Sequence, residues 1–272
     1  MIKKIIFFTF FIAILVVIIL LFLSNYNQNK NIEKILEKDL IQRVIPHKVN
    51  YLNKLNNILN DKLCAFEFDV TFNLSNPTPY FEIGHDSTEL NGLSFEKYLI
   101  FLKDKNIKKI WMDIKHVQEK DIAKILARLE YLDKIYHIKD ILIFESNSVS
   151  PKIKLISNAG YHTSYYLPID KLIMIPLTNK KLSILEAIKL KEQIGIQNLQ
   201  AVSFPTYTYP FVKKYLEPIL KTKLDYHVWD RYKFKKKDEF LKIQKSDFFH
   251  DERVKTILFS YDNNKLNRLY SF

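Results

Sequence analysis

The run Cys64-Ala65-Phe66-Glu67-Phe68-Asp69-Val70 sets two carboxylates inside an apolar stretch, and Ile107-Lys108-Lys109-Ile110-Trp111-Met112-Asp113-Ile114-Lys115 repeats the device further along the chain. Successive side chains of a β-strand point to opposite faces, so Glu67 and Asp69 share one face while Phe66, Phe68 and Val70 share the other. Asp113 and Lys115 likewise share a face, opposite Met112 and Ile114. Further strand candidates are Ile41–His47, Asp140–Ser146, His162–Pro168, Ala201–Pro205, Leu224–Asp230 and Thr256–Asp262. Several are nearly continuous apolar runs, the pattern of strands buried on both faces in a parallel sheet.

Amphipathic stretches lie between them. Leu52–Leu59 places Leu52, Leu55, Ile58 and Leu59 on one helical face, and Glu119–Leu132 does the same with Ile122, Ile125, Leu126 and Leu129. Ser94 can cap a helix running to Leu102. Ser183–Ile194 and Tyr209–Leu220 follow the same logic, with Pro210 suited to a first turn. The pattern is βα repeated about eight times, the length and rhythm of a (β/α)8 TIM barrel. An open doubly wound sheet is the runner-up. No internal linker divides residues 41–272, which are read as one barrel domain.

Ahead of it, Ile5 to Leu23 is apolar apart from Thr9, long enough as a helix to cross roughly 30 Å of hydrocarbon. Lys3 and Lys4 precede it, so the N-terminus is expected in the cytoplasm and the barrel on the extracytoplasmic side. No small-residue cleavage site follows. Residues 1–24 are therefore read as an uncleaved signal anchor, a single-pass transmembrane helix, and the polar residues 25–40 as a tether.

Composition excludes several classes. Cys64 is the only cysteine, so neither an internal disulfide framework nor a cysteine zinc site can form. The four glycines, Gly84, Gly92, Gly160 and Gly195, build neither G-x-G-x-x-G nor a P-loop. The formal net charge is +12. Its lysines are scattered and no nucleic-acid motif accompanies them, so no nucleic-acid partner is expected.

A barrel of this type carries its active site at the carboxyl ends of the strands. There the chain places His47 after the first strand and Glu67 and Asp69 on the second. His85-Asp86 follows a hairpin-like excursion at Tyr80–Ile83, and Asp113 and Lys115 lie on the next strand. Parallel buried carboxylates repel one another, and a cation is the economical compensation. Glu67, Asp69 and Asp113 offer a hard, oxygen-lined site for one divalent cation, Mg2+ or Ca2+. His47 and His85 offer a proton acceptor and a donor. Glu145, at a later strand end, can line the pocket, Trp229 is expected to line the barrel, and Asn50 can position His47 or a substrate.

The order His, E-x-D, His-Asp, D-x-K resembles the phospholipase C-like phosphodiesterase superfamily, including its glycerophosphodiester phosphodiesterase and sphingomyelinase D branches. The resembling positions are His47-Lys48, Glu67-Phe68-Asp69, His85-Asp86 and Asp113-Ile114-Lys115, within residues 46 to 115. Two depart from the glycerophosphodiesterase pattern: Lys48 stands where Arg is usual, and Asp113 where Glu is common. The resemblance implies a metal-dependent phosphoric diester hydrolase, and the membrane anchor read from Ile5–Leu23 suggests a lipid or lipid-derived phosphodiester as its substrate. Glu67, Asp69 and Asp113 would hold the ion, His47 and His85 would serve as the acid–base pair, and Lys115 would place fixed positive charge near the phosphate or orient Asp113. Two alternatives are a catalytically inactive barrel that binds lipid or glycan head groups, and a glycoside hydrolase. The second needs paired acids from different strand ends across a sugar.

Overall fold

The structure, a computed structural model, describes residues 14, 16–20, 43–75, 77–86, 88–90, 92–168, 179–233 and 246–261, the side chains of 230–233 excepted. Nine strands form one curled sheet: β1 (Val44–His47), β2 (Ala65–Asn73), β3 (Tyr80–Ile83), β4 (Lys109–Lys115), β5 (Leu142–Ser146), β6 (His162–Tyr166), β7 (Ala201–Pro205), β8 (Asp225–Lys233) and β9 (Val254–Ser260). Their order is β1-β9-β8-β7-β6-β5-β4-β2-β3. All neighbours pair in parallel except β3, which runs antiparallel along the outer half of β2. The last strand thus pairs with the first, as in a (β/α)8 barrel. At the remaining seam β1 lies beside β2 without a ladder. There the Val49 N–H bonds the Glu67 carbonyl at 2.8 Å.

The period of two seen in the sequence decides what faces where. Phe66, Phe68 and Val70 of β2, with Ile110, Met112 and Ile114 of β4, point outward into the main core beneath the helices. Phe68 lies 5.1 Å from Phe95 and 5.6 Å from Tyr98 between ring centroids, both on the helix Phe95–Leu102. The inner face carries a smaller apolar cluster of Ile45, Ala65, Trp111, Ile143 and Leu258, with Trp229 packed on it. This plug fills the axis, and the polar ends of the same strands stand above it.

The helices follow the amphipathic pattern, with informative differences. Ser94 caps Phe95–Leu102 by accepting the Lys97 N–H. The stretch expected as one helix over Glu119–Leu132 begins as a 3-10 turn at Glu119–Asp121 and becomes α-helical over Ile122–Tyr136. The helix expected over Tyr209–Leu220 is a composite: Tyr209–Phe211 is α-helical, Val212–Leu216 a π-turn and Glu217–Ile219 a 3-10 turn. Pro218 lacks the N–H that a regular last turn requires, which accounts for the tighter ending.

Among the described residues no helix is long and apolar enough to cross a membrane. Of the anchor expected over 1–24, only residues 14 and 16–20 are described; they are helical and exposed. The tether over 25–40 lies outside the described residues.

Candidate active site

β2 and β4 bring the three carboxylates together. Asp69 is the direct register partner of Asp113, and Glu67 lies one inward step deeper on β2. One carboxylate oxygen from each of Glu67, Asp69 and Asp113 falls within 4.8 Å of the others. Glu67 and Asp69 are buried, and Asp113 is half-buried. All three donors are hard oxygens, so the set fits Mg2+ or Ca2+. Burial, reinforced by the charges of Asp69 and Asp113, pushes the Glu67 carboxyl well above the ordinary range. Burial also raises Asp113. Three clustered acids carry more negative charge than one lysine neutralises, and a divalent ion would supply the remainder.

Lys115 is the counter-charge already present. Its Nζ lies 2.9 Å from Asp69 Oδ1 and also bonds Asp113 Oδ2. Both carboxylates hold the Lys115 pKa above its ordinary value, although burial opposes them. Burial alone would raise Asp69, but Lys115 and the Asn50 amide together hold it below the ordinary carboxylate value. The Asn50 bond is reciprocal: its Nδ2 donates to Asp69 Oδ2 and its Oδ1 accepts the Asp69 N–H, both at 3.0 Å. Asn50 therefore positions a carboxylate of the trio, not His47.

His47 ends β1 with its Nε2 3.6 Å from Glu67 Oε2. Burial, with the cations of Lys48, Lys54 and Lys115, outweighs the pull of Asp69 and lowers its pKa to about 4. The imidazole is neutral at pH 7. Lys54 Nζ donates to the carbonyls of His47 and Lys48 at 2.8 and 3.0 Å, fixing the turn. Lys48 adopts a left-handed conformation, φ 55°, and its N–H donates to Glu67 Oε2 at 2.6 Å. This hydrogen bond offsets part of the cost of about 1–2 kcal/mol for a non-glycine residue in that region. His85 reaches the site from the loop after β3, half-exposed, with Nδ1 3.5 Å from Asp86 Oδ2.

These residues line one cavity of about 680 Å3. His47, Lys48, Glu67 and Asp69 meet His85, Asp113 and Lys115 there, so the expected acid–base pair, cation ligands and lysine all reach the same space. Glu145, Tyr166 and Trp229 also line it. Glu145 is the register partner of Asp113 and accepts the Ser164 hydroxyl at 3.0 Å. Burial and the Asp113 charge push its carboxyl up to about 8. Tyr166 and Trp229 stack, 6.0 Å apart and 10° from parallel. Neither Tyr166 nor His116 was singled out from the sequence, though both line the cavity. The available signal was inner-face periodicity, since Tyr166 follows Ser164 by two residues at the carboxyl end of its strand.

Fold and site together define an α/β barrel-type protein with a carboxylate site suited to a hard cation and two imidazoles on one cavity. Three solved structures of similar fold share an assignment. A glycerophosphodiester phosphodiesterase from Parabacteroides distasonis superposes with a TM-score of 0.52 at 12% identity, covering 84% of this chain and 97% of that one. A protein from Silicibacter pomeroyi, assigned as a glycerophosphoryl diester phosphodiesterase, gives 0.53 at 12% identity over 84% and 92%. Another of that assignment, from Agrobacterium tumefaciens, gives 0.53 at 11% over 85% and 97%. No protein-family model and no curated protein matches the sequence.

Proposed function

We propose that this protein is a metal-dependent phosphoric diester hydrolase. The observation that carries the reading is the convergence of Glu67, Asp69 and Asp113 on one point, with His47 and His85 on the same cavity. The fold shared with glycerophosphodiester phosphodiesterases supports it. Glu67, Asp69 and Asp113 would hold one divalent cation, Mg2+ or Ca2+, which when bound supplies Lewis-acid neutralisation of phosphoryl oxygen charge.

The chain's own residues do the rest. His47, neutral because it is buried, accepts the proton of the attacking hydroxyl, whether that belongs to water or to the substrate. His85, on the more open side, donates a proton to the leaving alcohol. Lys115 keeps Asp69 ionised, pairs with Asp113 and adds fixed positive charge beside the phosphate. Asn50 holds Asp69, and the Lys48 N–H holds Glu67.

The substrate is a phosphodiester derived from lipid. The chain is held at a membrane by residues 1–24, with the N-terminus cytoplasmic and the barrel outside the cytoplasm. Support for this placement comes from the apolar run Ile5–Leu23 behind Lys3 and Lys4.

The full chain should hydrolyse bis(p-nitrophenyl) phosphate or a glycerophosphodiester only when Mg2+ or Ca2+ is added. His47→Ala and His85→Ala should each lower turnover about 10²–10⁴-fold. Absence of cation-dependent hydrolysis across such diesters overturns the proposal.

A further inference from the structure

The trio and His47 stand on strands of the barrel sheet, but His85 does not. It lies two residues beyond β3, on an excursion that leaves β2 after Asn73 and returns at Gly92. An exposed loop would hold an imidazole loosely, so something must fix it. Glu82 is the group so placed. It sits on β3 opposite Thr71, is 6% exposed, and is absent from the cavity lining. Its Oε2 accepts from Asn73 Nδ2 at 2.8 Å and from the Tyr80 hydroxyl at 3.2 Å, while Oε1 accepts the Gly92 N–H at 2.9 Å. One buried carboxylate thus ties the departure of the excursion, its returning strand and its exit.

The backbone around it transmits that hold to His85. Glu82 bridges Ser94, and the Ile83 N–H bonds the Leu93 carbonyl at 2.8 Å. β3 is therefore clamped by β2 on one side and by residues 92–94 on the other. The next residue, Gly84, donates its N–H to the Asp69 carbonyl at 3.0 Å, and the His85 N–H donates to Glu89 Oε2 at 3.2 Å. Gly84 has φ 149°, and a Cβ there would lie 3.0 Å from the Glu89 carbonyl carbon and oxygen.

We propose that Glu82 is a positioning residue that acts through His85, clasping the two ends of the 73–92 excursion so that the imidazole is held over the carboxylate trio. This rests on the phosphodiesterase reading. Glu82 touches neither substrate nor ion. Its effect should appear in turnover, not in metal or substrate binding.

The test is Glu82→Gln. The amide keeps the size but turns one acceptor oxygen into a donor, so one end of the clasp loses its partner. In the full chain, kcat should fall about 10²-fold, the cost of a small misplacement of a reacting group. KM and the cation concentration for half-maximal activity should hold. In a His85→Ala background the same substitution should cost less than about twofold, because coupled groups are not additive. Multiplicative losses, an unchanged kcat, or a raised cation requirement would each overturn the proposal. If Glu82→Gln does not fold, Asn73→Ala, which removes one donor, carries the same comparison. If the wild-type chain hydrolyses no phosphodiester, the functional reading falls while the clasp remains testable. The His85 ring resonance, assigned by its loss in His85→Ala, should then move or broaden in Glu82→Gln; an unmoved resonance overturns the clasp.

Discussion

Glu145→Gln should stabilise the metal-free protein at alkaline pH and leave it nearly unchanged under mildly acidic conditions. Glu145 is 2% exposed, faces Asp113 in the sheet register, and has the Ser164 hydroxyl as a donor. Burial and the Asp113 charge raise its pKa from 4.5 to about 8. Between those values the folded protein keeps a proton that the unfolded chain has released. Stability therefore falls as pH rises through this window, with nothing lost below it and the full penalty present above it. At about 1.4 kcal/mol per pH unit the rise corresponds to a loss on the order of 5 kcal/mol by pH 8. Glutamine still accepts the Ser164 hydroxyl but never ionises, so it escapes this loss. Urea unfolding of the full chain in non-ionic detergent with EDTA, at about pH 5 and about pH 8, measures the difference. Trp111 and Trp229 line the same cavity and report the transition. Variant and wild type with parallel pH dependence would refute the argument that this carboxyl is penalised by burial.

Four further outcomes are expected. Mg2+ or Ca2+ should raise the unfolding temperature, and more at about pH 8 than at about pH 5, because Glu67 and Asp113 are raised and an ion must displace their protons at low pH. Asp69→Asn should diminish that gain in a thermal-shift titration. Gly84→Ala should destabilise by about 1–3 kcal/mol in urea unfolding, since it forces a Cβ into the Glu89 backbone at a φ that side chains rarely adopt. Phe68→Ala should cost about 3–5 kcal/mol by the same measurement, as it empties a space shared with Phe66, Phe95 and Tyr98.

The chain by itself determined the alternation of strands and helices and the side on which the chemistry falls. Glu67, Asp69, Asp113 and Lys115 were legible because a strand's period of two is local: apolar neighbours at Phe66, Phe68, Met112 and Ile114 must take the buried outer face, which leaves the acids the inner one. Helix Phe95–Leu102 was legible for a similar reason, its cap being written within three residues. Tertiary structure alone decided the rest. The register of β2 against β4 put Asp69 beside Asp113, and the curl of the sheet brought Tyr166 and Trp229 to the cavity wall. Asn50 reached Asp69 across nineteen positions of chain, Glu82 reached Gly92 across ten, and the lowered pKa of His47 arose from burial that no local pattern encodes. Such pairings depend on which backbone segments become neighbours, and that is settled only when the whole sheet closes over its core.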